Sequence, residues 1–198
     1  MAQIERVITR AGNKTTSDAA EPRASRNSQS HRDQPARLTE DAARRVALDT
    51  DHLEKHRIIL GYQNPAAKAA YKMLRTRVLQ RMRSNQWTTL AITSATQENG
   101  KSLTALNLAI SMATEQRQKV VLVDLDLRNP DIHSLLGLGE SPQFANYMDE
   151  MCKAQDILVR PEGLSNLFVV PNSQAFEYSS ELLASARMTE LINDLRSI

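Results

Sequence analysis

Residues 88–128 read TTLAITSATQENGKSLTALNLAISMATEQRQKVVLVDLDLR, and the order of patterns in this stretch decides the fold. A short apolar run at 90–93 is typical of a strand, and the apolar residues of 103–116 recur at helical spacing. A second apolar run at 120–123 is again typical of a strand, and two carboxylates follow it. The stretch therefore predicts a strand, a loop, a helix and a second strand of an α/β domain.

The loop between the first predicted strand and the helix carries residues suited to binding phosphate. Backbone N–H groups of a tight turn and of a helix N-terminus can surround phosphate oxygens, and Asn99 and Gly100 tolerate the positive φ that such a turn needs. Lys101 would reach the β- and γ-phosphates, and the Ser102 hydroxyl would ligate Mg²⁺. Gly-Lys-Ser could also simply open an amphipathic helix. The predicted nucleotide-binding residues are Ala95, where this pattern ordinarily has Gly, and Thr96, Gln97, Glu98, Asn99, Gly100, Lys101, Ser102 and Leu103.

Asp124 and Asp126 form a second candidate site at the end of the second predicted strand. Side chains at alternate positions of a strand point to the same side of the sheet. In an open α/β sheet the carboxyl ends of the strands form the ligand crevice. One carboxylate could join the shell of Mg²⁺ while the other accepts a proton or a hydrogen bond. The alternative is that both residues form a solvated strand end.

These two motifs together resemble the bacterial tyrosine kinases of capsule and exopolysaccharide synthesis, in particular their cytoplasmic autokinases. The likeness covers roughly residues 63–198 and includes segments outside the two motifs. The resemblance implies an α/β P-loop nucleotide-binding domain with a mostly parallel sheet and flanking helices, incomplete at its C-terminus. The further matching segments are YKMLRT at 71–76, LNLA at 106–109, RNP at 128–130 with His133 and Gly137, and SELLAS at 180–185 with Arg187 and Met188.

The resemblance also implies an activity, a cofactor and partners. The activity is that of an ATP-dependent protein-tyrosine autokinase regulating exopolysaccharide or capsule synthesis and chain length. ATP and Mg²⁺ would bind at Gly100, Lys101 and Ser102. The implied partners are a membrane-bound polysaccharide chain-length regulator and further copies of the chain.

Three residues after the second predicted strand take catalytic roles in this reading. Asp124 would join Ser102 in the shell of Mg²⁺, and Asp126 would be the base that prepares a tyrosine hydroxyl. Arg128 would either neutralise charge on the transferred phosphate or hold Asp126 in place. Catalysis of this kind is mostly positioning and charge neutralisation.

The chain departs from the pattern of these kinases in three places. Their phosphate loop usually contains Gly and Pro, where this chain has QEN at 97–99. Their oligomerising helix often reads Glu-x-x-Arg-x-x-Arg, and the corresponding residues here are Ala69, Lys72 and Arg75. A third motif, an apolar strand ending in Asp-x-Pro, is expected after the last helix, but the sequence stops at Ile198. We therefore expect a chain truncated before this motif, with weak nucleotide binding and little or no kinase activity by itself.

Two other functions are compatible with the same motifs. A partitioning or cell-division positioning ATPase shares the fold, but such proteins carry a lysine just after the first loop position, where this chain has Thr96. A nucleotide-binding scaffold without catalysis is the second alternative, because the third motif is missing.

Composition restricts the remaining possibilities. The chain has 198 residues and 41% hydrophobic residues, which suits one domain and a tail. A formal net charge of +2 is too small to indicate nucleic-acid binding. The single cysteine, Cys152, cannot form an internal disulfide, and no apolar run is long enough to span a bilayer. We therefore expect a cytoplasmic protein, or one peripheral at the inner face of the plasma membrane.

The sequence divides into three expected segments. Residues 1–10 predict a short amphipathic helix, and the polar composition of 11–50 predicts a flexible linker. Residues 51–198 would form the N-terminal part of the kinase domain, with strands at 90–93, 120–124 and 167–170. Asn64 and Pro65 predict the start of a basic helix, and Ser179 or Ser180 is expected to cap the last helix.

Overall fold

The computed structural model describes residues 43–115, 118–139 and 144–198. The helix predicted at 1–10 and the linker predicted from residue 11 lie outside the described residues as far as residue 42. No helix in the described ranges combines the length and the apolar character that crossing a membrane requires.

The described residues form an α/β fold around one four-stranded sheet. Its strands are β1 (Arg44–Val46), β2 (Val120–Val123), β3 (Val159–Pro161) and β4 (Leu167–Val170). Their order in space is β1-β3-β4-β2, with β1 parallel to β3, β2 parallel to β4, and β3 antiparallel to β4. This mostly parallel sheet confirms the predicted fold class.

Seven α-helices and a short 3-10 helix are described around the sheet. The helix predicted from Asn64 begins there, because the Asn64 side chain accepts a hydrogen bond from the Ala67 backbone N–H at 3.0 Å and Pro65 occupies the first turn. The helices are α1 (Thr50–Lys55), α2 (Pro65–Ser84), α3 (Lys101–Ala113), α4 (Ile132–Leu135), α5 (Phe144–Met148), α6 (Ser179–Leu183) and α7 (Ala186–Leu195), with the 3-10 turn at Ala154–Ile157.

The sheet is buried on both faces, as strand β4 shows most clearly. All four of its residues are fully buried. Because side chains alternate along a strand, Leu167 and Val169 pack with the core beneath α3, whereas Phe168 and Val170 pack with the core that includes α7. Continuous apolar strands of this kind are typical of sheets covered by helices on both sides.

The strand predicted at 90–93 is not formed. These residues carry no strand assignment, and Leu90 remains 45% exposed. A strand needs a neighbouring strand to satisfy its backbone groups, and no strand is described beside this segment. The prediction of a strand at 90–93 was therefore wrong, because this apolar segment lacks a neighbouring strand to pair with.

Two further expectations need correction. Strand β1 and the start of α1 lie within the stretch 11–50 that was expected to be a linker, so ordered structure begins by Arg44. The last helix is divided into α6 and α7, and Ser185 caps α7 by accepting a hydrogen bond from the Met188 N–H at 3.1 Å. Neither Ser179 nor Ser180 caps it, because α6 already includes both residues.

Helix α3 is fastened to the rest of the protein at two points. Asn107 is 1% exposed, and its side chain accepts from the Ile59 N–H at 2.9 Å and donates to the Arg57 carbonyl at 3.0 Å. Arg75 of α2 donates to the Ser111 carbonyl at 2.9 Å and lies 3.4 Å from the Glu115 carboxylate. A cation at a helix C-terminus also interacts favourably with the helix dipole. The middle and the C-terminal end of α3 are thus both held.

Replacing Gly137 with alanine is expected to destabilise the fold by about 1–3 kcal/mol. Gly137 has a φ of +63°, which costs any other residue about 1–2 kcal/mol, and an added Cβ would lie 2.9 Å from the His52 ring. The His52 Nε2 lies 2.9 Å from the Ser134 carbonyl, so moving the ring would disturb that contact as well. Urea unfolding measures the effect. Gly139→Ala is the matched control, since no atom lies within 4 Å of its added Cβ, and equal losses in both variants would contradict the argument.

Candidate functional site

The predicted phosphate loop is a turn that leads directly into α3. Gly100 has a φ of +77° and precedes the first helical residue, Lys101. Glu98 also has a positive φ, of +59°, so the second left-handed residue is Glu98 and the expectation for Asn99 was wrong. No side chain caps the N-terminus of α3. Its first N–H groups therefore remain suited to an anion from outside the helix.

Lys101, at the start of α3, and Asp126, after β2, are in direct contact. The Lys101 ammonium forms an ion pair with the Asp126 carboxylate, and the two side chains are 27% and 20% exposed. The other Asp126 oxygen accepts a hydrogen bond from the Asn129 N–H at 3.0 Å. The start of α3 and the turn after β2, which are 25 positions apart by residue number, are therefore joined by this ion pair.

The surroundings of Asp126 lower the pKa of its carboxyl group below the ordinary value of 3.8. Partial burial acts to raise this pKa, but the hydrogen bond from Lys101, the Asn129 N–H and the Lys101 charge together outweigh it. Because folding lowers the pKa, the carboxylate contributes stability at neutral pH. That contribution is lost as the pH falls below 3.8 and through the pKa of the folded state.

Asp124 is more buried than Asp126, and its carboxylate stabilises the turn that follows β2. It is 4% exposed, and its carboxylate accepts hydrogen bonds from the N–H groups of Asp126 at 3.2 Å and of Asp131 and Ile132, both at 3.0 Å. Burial raises the pKa of Asp124, since its effect exceeds that of the three backbone donors. The sequence indicated a ligand position for Asp124 but gave no sign of this structural role.

Replacing Asp124 with asparagine should destabilise the protein by about 1–3 kcal/mol. Both carboxylate oxygens accept backbone hydrogen bonds, and an amide NH₂ in place of one oxygen would face a donor and leave it unsatisfied. Thermal or urea unfolding measures the loss. Asp131→Asn is the control, because Asp131 is exposed and its side chain makes no capping hydrogen bond to α4. An unchanged free energy of unfolding in Asp124→Asn would show that the turn does not depend on the carboxylate.

Arg128 is exposed, and its Nε donates a hydrogen bond to the Ser179 hydroxyl at 3.3 Å. Ser179 is 7% exposed and belongs to α6, so this contact links the carboxylate turn to a helix 51 positions later. The Phe176 N–H donates to the Leu127 carbonyl at 2.7 Å and joins the same two segments. Ser179 was not predicted as part of the site, and no local sequence signal marks it.

The residues at the site fit a magnesium nucleotide. Mg²⁺ prefers hard oxygen ligands and usually takes one or two carboxylates together with phosphate oxygens and water. Ser102, in the first turn of α3, and Asp124 supply such oxygens, and both line the same groove as Lys101 and Asp126. Within the described ranges no three His, Cys, Asp or Glu side chains are grouped to hold an ion by themselves. A metal here would depend on the phosphates it accompanies.

Comparison with known proteins identifies relatives among bacterial tyrosine-protein kinases. The tyrosine-protein kinase Etk of Escherichia coli strain K12 is 31% identical over 146 residues, which cover 71% of this chain and 19% of Etk. The tyrosine-protein kinase YwqD of Bacillus subtilis strain 168 is 31% identical over 121 residues, covering 61% of this chain and 50% of YwqD. The chain is a relative of the bacterial tyrosine-protein kinases. No protein-family model matches it.

A solved structure supports this relationship. The kinase domain of the Escherichia coli tyrosine kinase ETK matches with a TM-score of 0.56 and 27% sequence identity, covering 68% of this chain and 52% of that domain. The septum site-determining protein MinD of Helicobacter pylori is also similar, at 32% identity over 110 residues that cover 54% of this chain and 40% of MinD. The chain thus spans about half or less of each of these curated relatives.

Proposed function

We propose that this chain is part of an ATP-binding protein-tyrosine kinase that regulates exopolysaccharide or capsule synthesis and its chain length. The proposal rests chiefly on the ion pair between Lys101, at the uncapped N-terminus of α3, and Asp126, which follows β2. A cation, free helical N–H groups and two carboxylates in one groove are suited to a magnesium-bound triphosphate. The kinase relatives support tyrosine as the acceptor.

In the proposed mechanism the loop and the start of α3 hold the phosphates. The turn at 95–100 and the first N–H groups of α3 surround the β- and γ-phosphates, and Lys101 reaches their oxygens. Ser102 and Asp124 would hold Mg²⁺, which when bound neutralises charge on the phosphates. Arg128, which donates a hydrogen bond to Ser179, would neutralise charge on the transferred group.

Binding of nucleotide would also change the ion pairing and the pKa of Asp126. Lys101 is paired with Asp126 in the structure, so contact with phosphate requires it to leave that carboxylate at least in part. Because the Lys101 hydrogen bond and charge lower the pKa of Asp126, their loss raises this pKa towards its ordinary value. The carboxylate then becomes a better acceptor for the proton of a tyrosine hydroxyl. Nucleotide binding would thereby prepare the base.

Titration calorimetry with ATP and Mg²⁺, followed by a phosphotransfer assay, tests the proposed function. We expect weak, magnesium-dependent ATP binding and slow transfer of radiolabelled phosphate to tyrosine. Single-turnover conditions with protein in excess detect slow transfer. Absence of ATP binding by the folded protein would refute the assignment of the phosphate loop, whereas binding without transfer would favour a nucleotide-binding scaffold.

The similarity to MinD favours one second candidate, a positioning ATPase. Against it, Thr96 occupies the position at which such ATPases carry a lysine. The two functions differ in their products. A positioning ATPase would release inorganic phosphate without modifying tyrosine, whereas a kinase would form phosphotyrosine.

The proposed kinase would act in the cytoplasm or at the inner face of the plasma membrane. Its proposed partners are a membrane-bound polysaccharide chain-length regulator and further copies of the chain. Helix α2 offers a basic surface for such contacts, since Lys68, Lys72, Arg77 and Arg81 are exposed along it. Basic helices of this kind can contact anionic lipids or acidic protein surfaces.

A further inference from the structure

Two histidines at the end of α1 are four residues apart and lie against each other. His52 is in the helix, and His56 directly follows its last residue, Lys55. Their rings are stacked, with centroids 4.1 Å apart and planes inclined by 27°. Side chains at positions i and i+4 lie on the same face of a helix, and two histidines at this spacing can bind zinc. Both rings are half-buried, so an ion can reach them from solvent.

The hydrogen bonds of the two rings determine which ring nitrogen carries a proton. His52 Nε2 lies 2.9 Å from the Ser134 carbonyl oxygen, and His56 Nδ1 lies 2.9 Å from the His52 carbonyl oxygen. Because a carbonyl oxygen only accepts, each of these nitrogens must be the donor. In a neutral imidazole the other nitrogen then has a free lone pair. That nitrogen is Nδ1 in His52 and Nε2 in His56, and the described residues form no hydrogen bond to either.

This hydrogen bonding is the kind that metal-binding histidines have. A histidine ligand almost always donates its second ring N–H to a carbonyl or a carboxylate, which fixes the tautomer and the orientation of the ring. A purely structural role would explain the contact of His52 with Ser134, since it joins α1 to α4. It does not explain the His56 ring, because the carbonyl that this ring contacts already accepts the His56 backbone N–H at 3.1 Å.

We propose that His52 Nδ1 and His56 Nε2 together bind one divalent transition-metal ion of the Zn²⁺ class, with water completing its coordination. Imidazole suits zinc, copper and nickel, whereas Mg²⁺ and Ca²⁺ prefer oxygen ligands. Among the residues that the structure describes, no third His, Cys, Asp or Glu joins the pair. An ion held by two side chains exchanges with solvent, so occupation of the site depends on the supply of metal. The site is separate from the magnesium nucleotide proposed above and does not depend on the proposed kinase activity.

Binding of one ion by both histidines requires a movement of one ring. The lone pair of an imidazole nitrogen lies in the plane of the ring, so two nearly parallel rings cannot both direct their lone pairs at the same ion. The His56 ring is expected to turn, because it follows the end of α1. The His52 ring is held by the Ser134 carbonyl and packs against Gly137. Ion binding is therefore expected to open the stack.

The ion would also strengthen the contact between α1 and α4. A cation on Nδ1 withdraws charge from the His52 ring, which makes its Nε2–H a stronger donor to Ser134. The same Ser134 carbonyl accepts the Gly137 N–H at 3.0 Å, and the Asp124 carboxylate holds the beginning of α4. A segment held more firmly opens less often. Zinc is therefore expected to slow hydrogen exchange at the Gly137 amide.

Calorimetric titration of the untagged chain with ZnCl₂ tests the proposal, in a His31→Gln background because His31 lies outside the described residues. We expect one ion per chain. His52→Gln and His56→Gln should each weaken zinc binding at least about tenfold, because the second bond to an ion that is already held is effectively intramolecular. His133→Gln is the matched control. The His133 Nε2 also lies near a carbonyl, that of Gly139 at 3.2 Å, but no histidine is four residues away.

Nuclear magnetic resonance of the histidine side chains locates the ion independently of the variants. Zinc should shift the ring resonances of His52 and His56 and leave those of His133 unchanged. An excess of MgCl₂ should not reverse these shifts, because Mg²⁺ prefers oxygen ligands. Should His52→Gln fail to fold, His56→Gln keeps the test decisive, since its ring contacts only a carbonyl of its own helix.

Three outcomes would overturn the proposal. The first is absence of zinc binding, or an unchanged affinity in folded His56→Gln. The second is an equal loss of affinity in His133→Gln, which would indicate unspecific binding to single histidines. The third is one ion for every two chains together with a doubled molecular mass, which would assign the rings to a metal bridge between copies.

Discussion

Replacing Lys101 with alanine is expected to weaken binding of ATP by roughly 10- to 150-fold. Its ammonium is the cation that the structure places at the N-terminus of α3, and a hydrogen bond to a charged group contributes about 1.5–3 kcal/mol. Titration calorimetry with ATP and Mg²⁺ measures the loss. Lys72→Ala is the control, because it removes the same charge from an exposed position on α2 and should leave the affinity unchanged.

The stability of the Lys101→Ala protein must be measured beside its affinity. Loss of the ammonium leaves the Asp126 carboxylate without its ion pair, but that group remains partly exposed and keeps the Asn129 hydrogen bond. We therefore expect the variant to fold. A folded Lys101→Ala protein with the parental affinity for ATP would remove Lys101 from the phosphate site.

Replacing Asp126 with asparagine should separate binding from transfer. Asparagine keeps an oxygen to accept the Asn129 N–H, but it no longer holds Lys101 by charge and cannot act as a base. Affinity for ATP should stay within a few-fold of the parent or increase, whereas tyrosine phosphorylation should fall about 100-fold or more. Calorimetry and single-turnover transfer of radiolabelled phosphate give the two values.

A joint loss of ATP binding and phosphate transfer in Asp126→Asn would assign another role to Asp126. If binding and transfer fell together, and only in the presence of Mg²⁺, Asp126 would act at the metal. Asp131→Asn serves as the comparison, since it removes an exposed carboxylate close by in the sequence and should change neither value.

Local sequence patterns were sufficient for the centre of the fold. Helix α3, strands β2 and β4, and the start of α2 at Asn64 and Pro65 all follow from apolar spacing and capping chemistry. The ion pair between Lys101 and Asp126 is consistent with the expectation that the loop before α3 and the end of β2 face the same crevice.

What could not be predicted depends on partners distant in the sequence. Residues 90–93 have the composition of a strand, but strand formation requires a neighbour that composition does not reveal. Strand β1 is only three residues long and exists because it pairs with β3, more than a hundred residues later. The contact between Arg128 and Ser179, and the three backbone donors gathered by Asp124, likewise arise only in the folded chain.

The two attachments of α3 determine which part of the site can adapt to a ligand. Asn107 fixes the middle of the helix to the Arg57 and Ile59 backbone, and Arg75 holds its last turn at Ser111. A helix restrained at both places cannot slide along its axis to meet a phosphate group. Adjustment must come instead from the six residues at 95–100, where Glu98 and Gly100 already adopt left-handed backbone angles. We therefore expect α3 to stay in place on ligand binding while the loop at 95–100 adjusts, so that selectivity among nucleotides of different phosphate length would depend on this loop.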